Sequence, residues 1–129
     1  MRGNKRSNTK PEMIVRSLLH AAGYRYRLHA SDLPGRPDIV FRSRKKVIFV
    51  HGCFWHQHPE QHCRLRKPPR TNTSYWGPKL TRNVQRDVAN QMALASREYA
   101  VLVIWECELR YPVLLRSKLE TFLGPPRRA

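Results

Sequence analysis

The feature that most constrains this chain is a cluster of soft metal ligands. Eleven residues, Cys53-Phe54-Trp55-His56-Gln57-His58-Pro59-Glu60-Gln61-His62-Cys63, hold two thiols and three imidazoles. A third thiol, Cys107, lies just past the apolar run Ala100-Val101-Leu102-Val103-Ile104-Trp105. Three cysteines make a poor disulfide framework, whereas zinc takes four Cys and His ligands in a tetrahedron. Three Cys and one His, either His58 or His62, complete that set. Such a site ties a long loop to a strand end. It also explains how residues 51–74, which show no hydrophobic periodicity, can be ordered. Four protein ligands leave no place for water, so the zinc is read as structural. The spacing matches no common finger pattern, and the alternative is three buried free thiols among surface histidines.

Charge narrows the partners. The chain carries 25 Lys and Arg against 9 Asp and Glu, a net +16 over 129 residues. Self-repulsion of that size is relieved by a polyanion. Nucleic acid is the first candidate, ahead of an anionic membrane surface or a merely basic soluble protein. No apolar run approaches the roughly 20 residues that span a bilayer. The start, Met1-Arg2-Gly3-Asn4-Lys5-Arg6, lacks the apolar core of a secretory signal, so a cytosolic protein is expected. The length suits one domain over 1–129, with a basic arm at 1–8 and a basic tail at 124–129.

Local signals give an element order. Thr9 and Glu12 have the spacing of a capping box, opening a helix to about Ala22 that Gly23 ends. Tyr24 to His29 alternates as a half-buried strand does. Leu33-Pro34-Gly35-Arg36-Pro37 is a turn. Asp38–Arg42 and Lys46–Val50 read as paired strands around Ser43-Arg44-Lys45. Ser74 is a candidate cap. From Lys79 to Tyr99, Leu80, Val84, Val88, Met92 and Ala95 recur about every fourth position and predict the buried face of a helix. Arg82, Asn83, Arg86, Asp87 and Asn90 are placed on other faces. Residues 100–105 read as a central strand, and Tyr111–Leu123 as a closing helix. The order α-β-β-β-loop-α-β-α predicts one mixed sheet with helices packed on it.

With so few acids, each one bears on function. Asp38 opens a strand, where a carboxylate can hold Mg²⁺. Pairing of the two strands brings it towards His51. A phosphodiester nuclease needs that combination: a carboxylate for the metal, and a base for the water. The alternative for Asp38 is a turn residue, and for Glu12 the helix cap. Phe54, Trp55, Tyr75 and Trp76 interleave with basic residues. They suit stacking on bases or wedging between them, or else cover the metal loop.

Four segments, in order and spacing, resemble the signature of the very short patch repair (Vsr) endonuclease family. They are Leu33-Pro34-Gly35-Arg36-Pro37-Asp38, Phe49-Val50-His51-Gly52-Cys53-Phe54-Trp55-His56, Asn83-Val84-Gln85-Arg86-Asp87 and Trp105-Glu106-Cys107. The resemblance runs from Thr9 to about Leu109. It implies a variant of the PD-(D/E)XK nuclease fold, with Phe49-Val50-His51 where E-X-K usually lies. It implies that Asp38 binds Mg²⁺ with the backbone carbonyl of Val50. His56 would activate water, His51 assist at the phosphate, and Glu12 orient metal-bound water. It further implies Cys53, His58, Cys63 and Cys107 as zinc ligands. Phe54, Trp55 and Trp76 would intercalate beside the mismatch, with Lys79 and Asn83 contacting the mispaired bases. Val50 stands where relatives often have Thr, which a backbone ligand tolerates. Pro59-Glu60-Gln61 resembles an insertion, which keeps His62 open beside His58. Met1 falls where relatives have a wedge-forming Met inside an N-terminal extension, so the arm is read as curtailed.

The resulting expectation is an enzyme that nicks one strand of duplex DNA 5′ to the T of a T:G mismatch. It needs catalytic Mg²⁺ and structural Zn²⁺, and it acts as a nucleoid-associated bacterial monomer that can contact mismatch-repair proteins. The rivals are a zinc-ordered DNA-binding module without catalysis and a restriction-type enzyme that cuts both strands.

Overall fold

A computed structural model describes residues 8–54, 56–59, 63 and 73–126, with backbone alone over 73–76. The first helix, α1 (Lys10–Ala21), starts where Thr9 Oγ1 accepts the Glu12 amide at 3.3 Å. It ends before Gly23, whose φ of 96° few side chains could share. Val15 and Leu19 are its buried apolar residues.

The strand expected over Tyr24–His29 shrinks to β1 (Arg27–Leu28). The Tyr24 amide is committed to the helix end, bonding to the Leu19 carbonyl, and its ring packs edge-on to Phe41. At the other end His29 turns left-handed, with φ 48°. β2 is Ile39–Phe41, so Asp38 lies just outside the strand and Arg42 passes into a 3-10 turn over Arg42–Arg44. Left-handed Lys45 then reverses the chain into β3 (Lys46–His51). The two strands pair antiparallel, with Ile39 opposite Ile48.

The helix expected from Lys79 to Tyr99 is α2 (Thr73–Ser96), which starts earlier, runs through Pro78 and stops earlier. β4 (Ala100–Trp105) returns parallel to β3 in the register Val50–Ile104 and His51–Trp105. Parallel neighbours need a crossover, and α2 is carried in that connection. A 3-10 turn (Glu106–Arg110) and α3 (Pro112–Leu123) follow. The strand order β1-β2-β3-β4 makes the sheet mixed. It also corrects the central-strand reading: among the described residues β4 is the last strand of the sheet. Its apolar run reflects cover on both faces rather than two neighbours.

That cover explains the alternation. Ile39, Phe41, Ile48 and Ile104 pack with Val15 and Leu19 of α1 and Leu115, Leu119 and Leu123 of α3. Val40, Val47 and Phe49 point the other way, to Leu94 of α2. Each fully buried aliphatic side chain contributes about 1.5–3 kcal/mol.

The predicted face of α2 is wrong beyond its first turns. Leu80 is buried, but Val88 is 52% and Met92 67% exposed. A step of four residues overshoots a 3.6-residue turn by about 40°, so an every-fourth row rotates away from the sheet within three steps. The buried positions instead run from Leu80 to Leu94 with half-buried Asn83, Asp87 and Asn90 between them. Gly35 (φ 76°) lies against this polar stretch: a Cβ there would sit 2.9 Å from Cβ of Asn90. The tail is docked as far as Pro126, through Arg44 to the carbonyls of Leu123 and Pro125 and through the Tyr24 hydroxyl to that of Gly124.

Candidate active site and metal cluster

The end of β3 and the start of the following loop carry two chemically different clusters. Cys53 follows the strand by two residues, and Cys107 is the second residue of the turn after the neighbouring strand. The parallel register therefore brings them together. The Cys107 amide donates to Cys53 Sγ at 3.4 Å, and Cys107 Sγ lies 3.4 Å from His58 Nδ1. One ligating atom from each of Cys53, His58, Cys63 and Cys107 falls within 4.8 Å of the others. The His58 ring stacks on Trp105 at 4.3 Å.

Burial, with the neighbouring thiols, pushes the Cys53 thiol up to about 12, and burial raises Cys107 as well. Thiols crowded in this way ionise only with a cation among them. A tetrahedral zinc ion with Zn–S near 2.3 Å sets its ligands ~3.7 Å apart, so the donor set fits one. His62 lies outside the described residues.

The second cluster lies on the other side of β3. The Val50 amide donates to Asp38 Oδ2 at 2.7 Å, which pins Asp38 to the strand. Burial raises the Asp38 carboxyl to about 6; the Val50 bond opposes this, and the nearby Glu12 adds to it. Glu12 is 1% exposed. It accepts from the Asn8 amide at 3.0 Å and from Arg16 at 3.3 Å, and lies 2.6 Å from His29 Nε2. Glu12 thus takes part in the helix start and also faces the site. Ligating atoms of Glu12, His29 and Asp38 fall within 4.8 Å of one another.

A histidine pair completes the site. His51 and His56 stack at 3.7 Å with planes 6° apart. His51 is buried, and Nδ1 has no hydrogen-bond partner among the described residues. Burial, aided by His56, lowers it to about 3, so it is neutral at physiological pH. His56 Nδ1 meets Asp87 Oδ2 of α2 at 2.5 Å. A carboxylate can only accept, so Nδ1 carries the proton and Nε2 is left as the basic nitrogen.

Of the residues singled out from sequence, Glu12, Asp38, Val50, His51 and His56 converge here, and Cys53, His58, Cys63 and Cys107 converge beside them. Phe54 is half-buried, and Lys79 and Asn83 lie half-buried along α2, four residues apart on the row that reaches Asp87. Met1 and Trp55 fall outside the described residues, as does the side chain of Trp76. Two participants were missed. His29 was hidden in an expected strand. Asp87 was placed off the buried face because the apolar row was followed instead; its spacing of four from Asn83 was the usable signal.

Comparisons with known proteins give the family. A family profile described as DNA mismatch endonuclease Vsr matches residues 1–64. The type II nicking enzyme V.XorIIP of Xanthomonas oryzae pv. oryzae is 51% identical over 118 residues, 92% of this chain and 85% of that protein. The type II nicking enzyme V.NmeAIP of Neisseria meningitidis is 41% identical, over 86% of this chain and 77% of that protein. DNA mismatch endonuclease Vsr of Escherichia coli K12 is 43% identical, over 85% of this chain and 69% of that protein. Similarity that extends along both chains at these levels means that this chain belongs to the Vsr family of DNA mismatch endonucleases.

Proposed function

We propose that this chain nicks one strand of duplex DNA 5′ to the thymine of a T:G mismatch, leaving a 3′-hydroxyl and a 5′-phosphate and so opening very short patch repair. The reading places it among PD-(D/E)XK-like nucleases, acting as a single-domain cytoplasmic monomer associated with the nucleoid. No helix among the described residues is long and apolar enough to cross a membrane. The observation that carries the reading is the attachment of Asp38 to Val50, one residue before His51, which stacks on a His56 oriented by Asp87.

Asp38 and the Val50 carbonyl would hold Mg²⁺, with Glu12 beside them; when bound, the ion polarises the phosphate and stabilises the charge built on it. His56 Nε2 takes the proton of the attacking water, and Asp87 stabilises the imidazolium that results. His51, kept neutral by burial, faces the phosphate without repelling the metal. Zn²⁺ on Cys53, His58, Cys63 and Cys107 would fix the loop that carries His56. Phe54, Trp55, Trp76 and Met1 are assigned to wedging beside the mismatch, and Lys79 and Asn83 to the mispaired bases. The charge of +16 draws the chain to the phosphate backbone.

A nicking assay in Mg²⁺ on matched and T:G-mismatched duplexes tests this. The expected result is one nick, 5′ to the mismatched T. Double-strand cleavage of matched DNA supports a restriction-type enzyme instead, and binding without cleavage supports a zinc-ordered binding module.

A further inference from the structure

His29 has no part in the chemistry above, yet it is built into the site. Its Nε2 is 2.6 Å from Glu12 Oε2, and its side chain is 16% exposed. The backbone holds a left-handed φ of 48°, which a residue with a side chain rarely adopts. The His29 amide donates to the Asp38 carbonyl at 3.1 Å. Residue 29 is therefore locked by its main chain to the residue whose carboxylate its ring approaches. The two carboxylates are also anchored: Asp38 Oδ2 on the Val50 amide and Glu12 Oε1 on the Asn8 amide. A ring nitrogen and two carboxylate oxygens within 4.8 Å of one another can close on one ion with bonds of about 2.1 Å after small side-chain shifts.

We propose that Glu12, His29 and Asp38 form a mixed oxygen–nitrogen cation site. His29 contributes a ring nitrogen to the ion, and the site takes a manganese-class divalent ion in preference to Mg²⁺. The inference rests on Asp38 being a cation ligand in the reading above and adds the donor that sets selectivity. Mg²⁺ favours an oxygen shell and retains its waters. Imidazole suits transition ions, so exchanging an oxygen donor for a ring nitrogen disfavours Mg²⁺ relative to them. On ion entry, the hydrogen bond between His29 and Glu12 would give way to two bonds to the same cation; the proton between them leaves to water, or shifts from Nε2 to Nδ1 of a neutral ring, so that Nε2 binds as neutral imidazole.

The test is direct binding of Mn²⁺ to the whole protein as purified, followed by electron paramagnetic resonance, with Mg²⁺ as competitor. Parent, His29→Gln, His29→Asn and Asp38→Asn proteins are compared at equal zinc content and helicity. Mn²⁺ should bind the parent on the order of tenfold tighter than Mg²⁺, with a nitrogen hyperfine coupling on the bound ion. His29→Gln and His29→Asn should lose that coupling and weaken Mn²⁺ by about tenfold, with Mg²⁺ affected less than about threefold. Absence of the coupling in the parent overturns the proposal without any substitution. So does its persistence in both His29 variants, or an equal loss of both ions. If His29 variants bind as the parent does while Asp38→Asn loses both ions, His29 alone is misassigned. If Asp38→Asn also binds as the parent does, the active-site reading falls with it.

Discussion

The two clusters beside β3 are built from opposite chemistry. The thiol–imidazole cluster brings two strand ends to a loop of low apolar content, where metal bonds would stand in for a hydrophobic core. The carboxylate–histidine cluster is surrounded by a core that stands without it. Val15 and Leu19 continue the buried face of α1 that Glu12 begins, and Ile39 and Ile48 pair beside Asp38. The first should be a determinant of folding and the second of chemistry, although only Gly52 separates His51 from Cys53 along the chain. The difference teaches how ligand type would report role in the proposed reading: soft, buried donors to hold the chain, and hard donors anchored on backbone amides to hold a reacting group.

The sharpest break between them is Asp38→Ala. Nicking should fall at least about a thousandfold in single-turnover assays, the scale of a lost metal ligand, while binding of mismatched duplex stays equal or tightens. Cys107→Ser should act the other way. It should lower unfolding free energy by about 3 kcal/mol or more and release zinc, measured by denaturant titration and metal analysis. If that protein folds normally without zinc, the contrast between the clusters collapses.

His56→Ala probes the seam, since His56 sits in the metal loop but faces the catalytic side. A loss of about a hundredfold in nicking rate with little change in melting temperature assigns it to the chemistry. A parental rate across pH 6–9 moves the proton acceptor elsewhere, with His51 next.

Stability against pH sharpens the contrast further. The folded Asp38 carboxyl is raised to about 6 from 3.8, so its favourable contribution is full below pH 3.8 and is lost as pH rises through 6. Asp38→Asn should therefore stabilise the metal-free second site by on the order of 2 kcal/mol at pH 8. That gain should fade as pH drops through 6 and vanish near 4, in paired denaturation curves. His51 runs oppositely: lowered to about 3 from 6.5, it costs stability as pH falls from 6.5 towards 3. Subtraction of the two proteins' curves cancels that background. The smallest effect belongs to Asp87→Asn, which keeps the shape but loses the charge behind His56. A loss of about tenfold in nicking, with the acidic limb of the rate profile shifted, marks Asp87 as a positioning residue.

Much of this is legible in the sequence. Thr9, Gly23 and the Leu33–Pro37 turn carry local signals whose physics acts within a few residues. The thiols at 53, 63 and 107 announced their convergence because three cysteines beside several histidines suit one metal site better than disulfides. What failed was local reasoning applied to distant decisions. Tyr24 was drawn out of its strand by a helix end and by Phe41. Val88 and Met92 follow an apolar spacing that a 3.6-residue turn does not keep on one side. His29 carries no periodic mark, and only the pairing of Leu28 with Ile39 brings its ring to Asp38.

By itself the sequence determined the element order, the charge that selects a polyanionic partner, the candidate thiols of the metal cluster and the pairing of the Asp38 and His51 strands. These follow from chain connectivity, composition and the valence of side chains. Only the tertiary structure decided that β4 closes the sheet as its last described strand. It likewise turned the polar row Asn83–Asp87–Asn90 inward and placed Asp87 behind His56 and His29 beside Glu12. Those outcomes depend on which faces of separate elements meet, a balance of packing between residues tens of positions apart that no local pattern records.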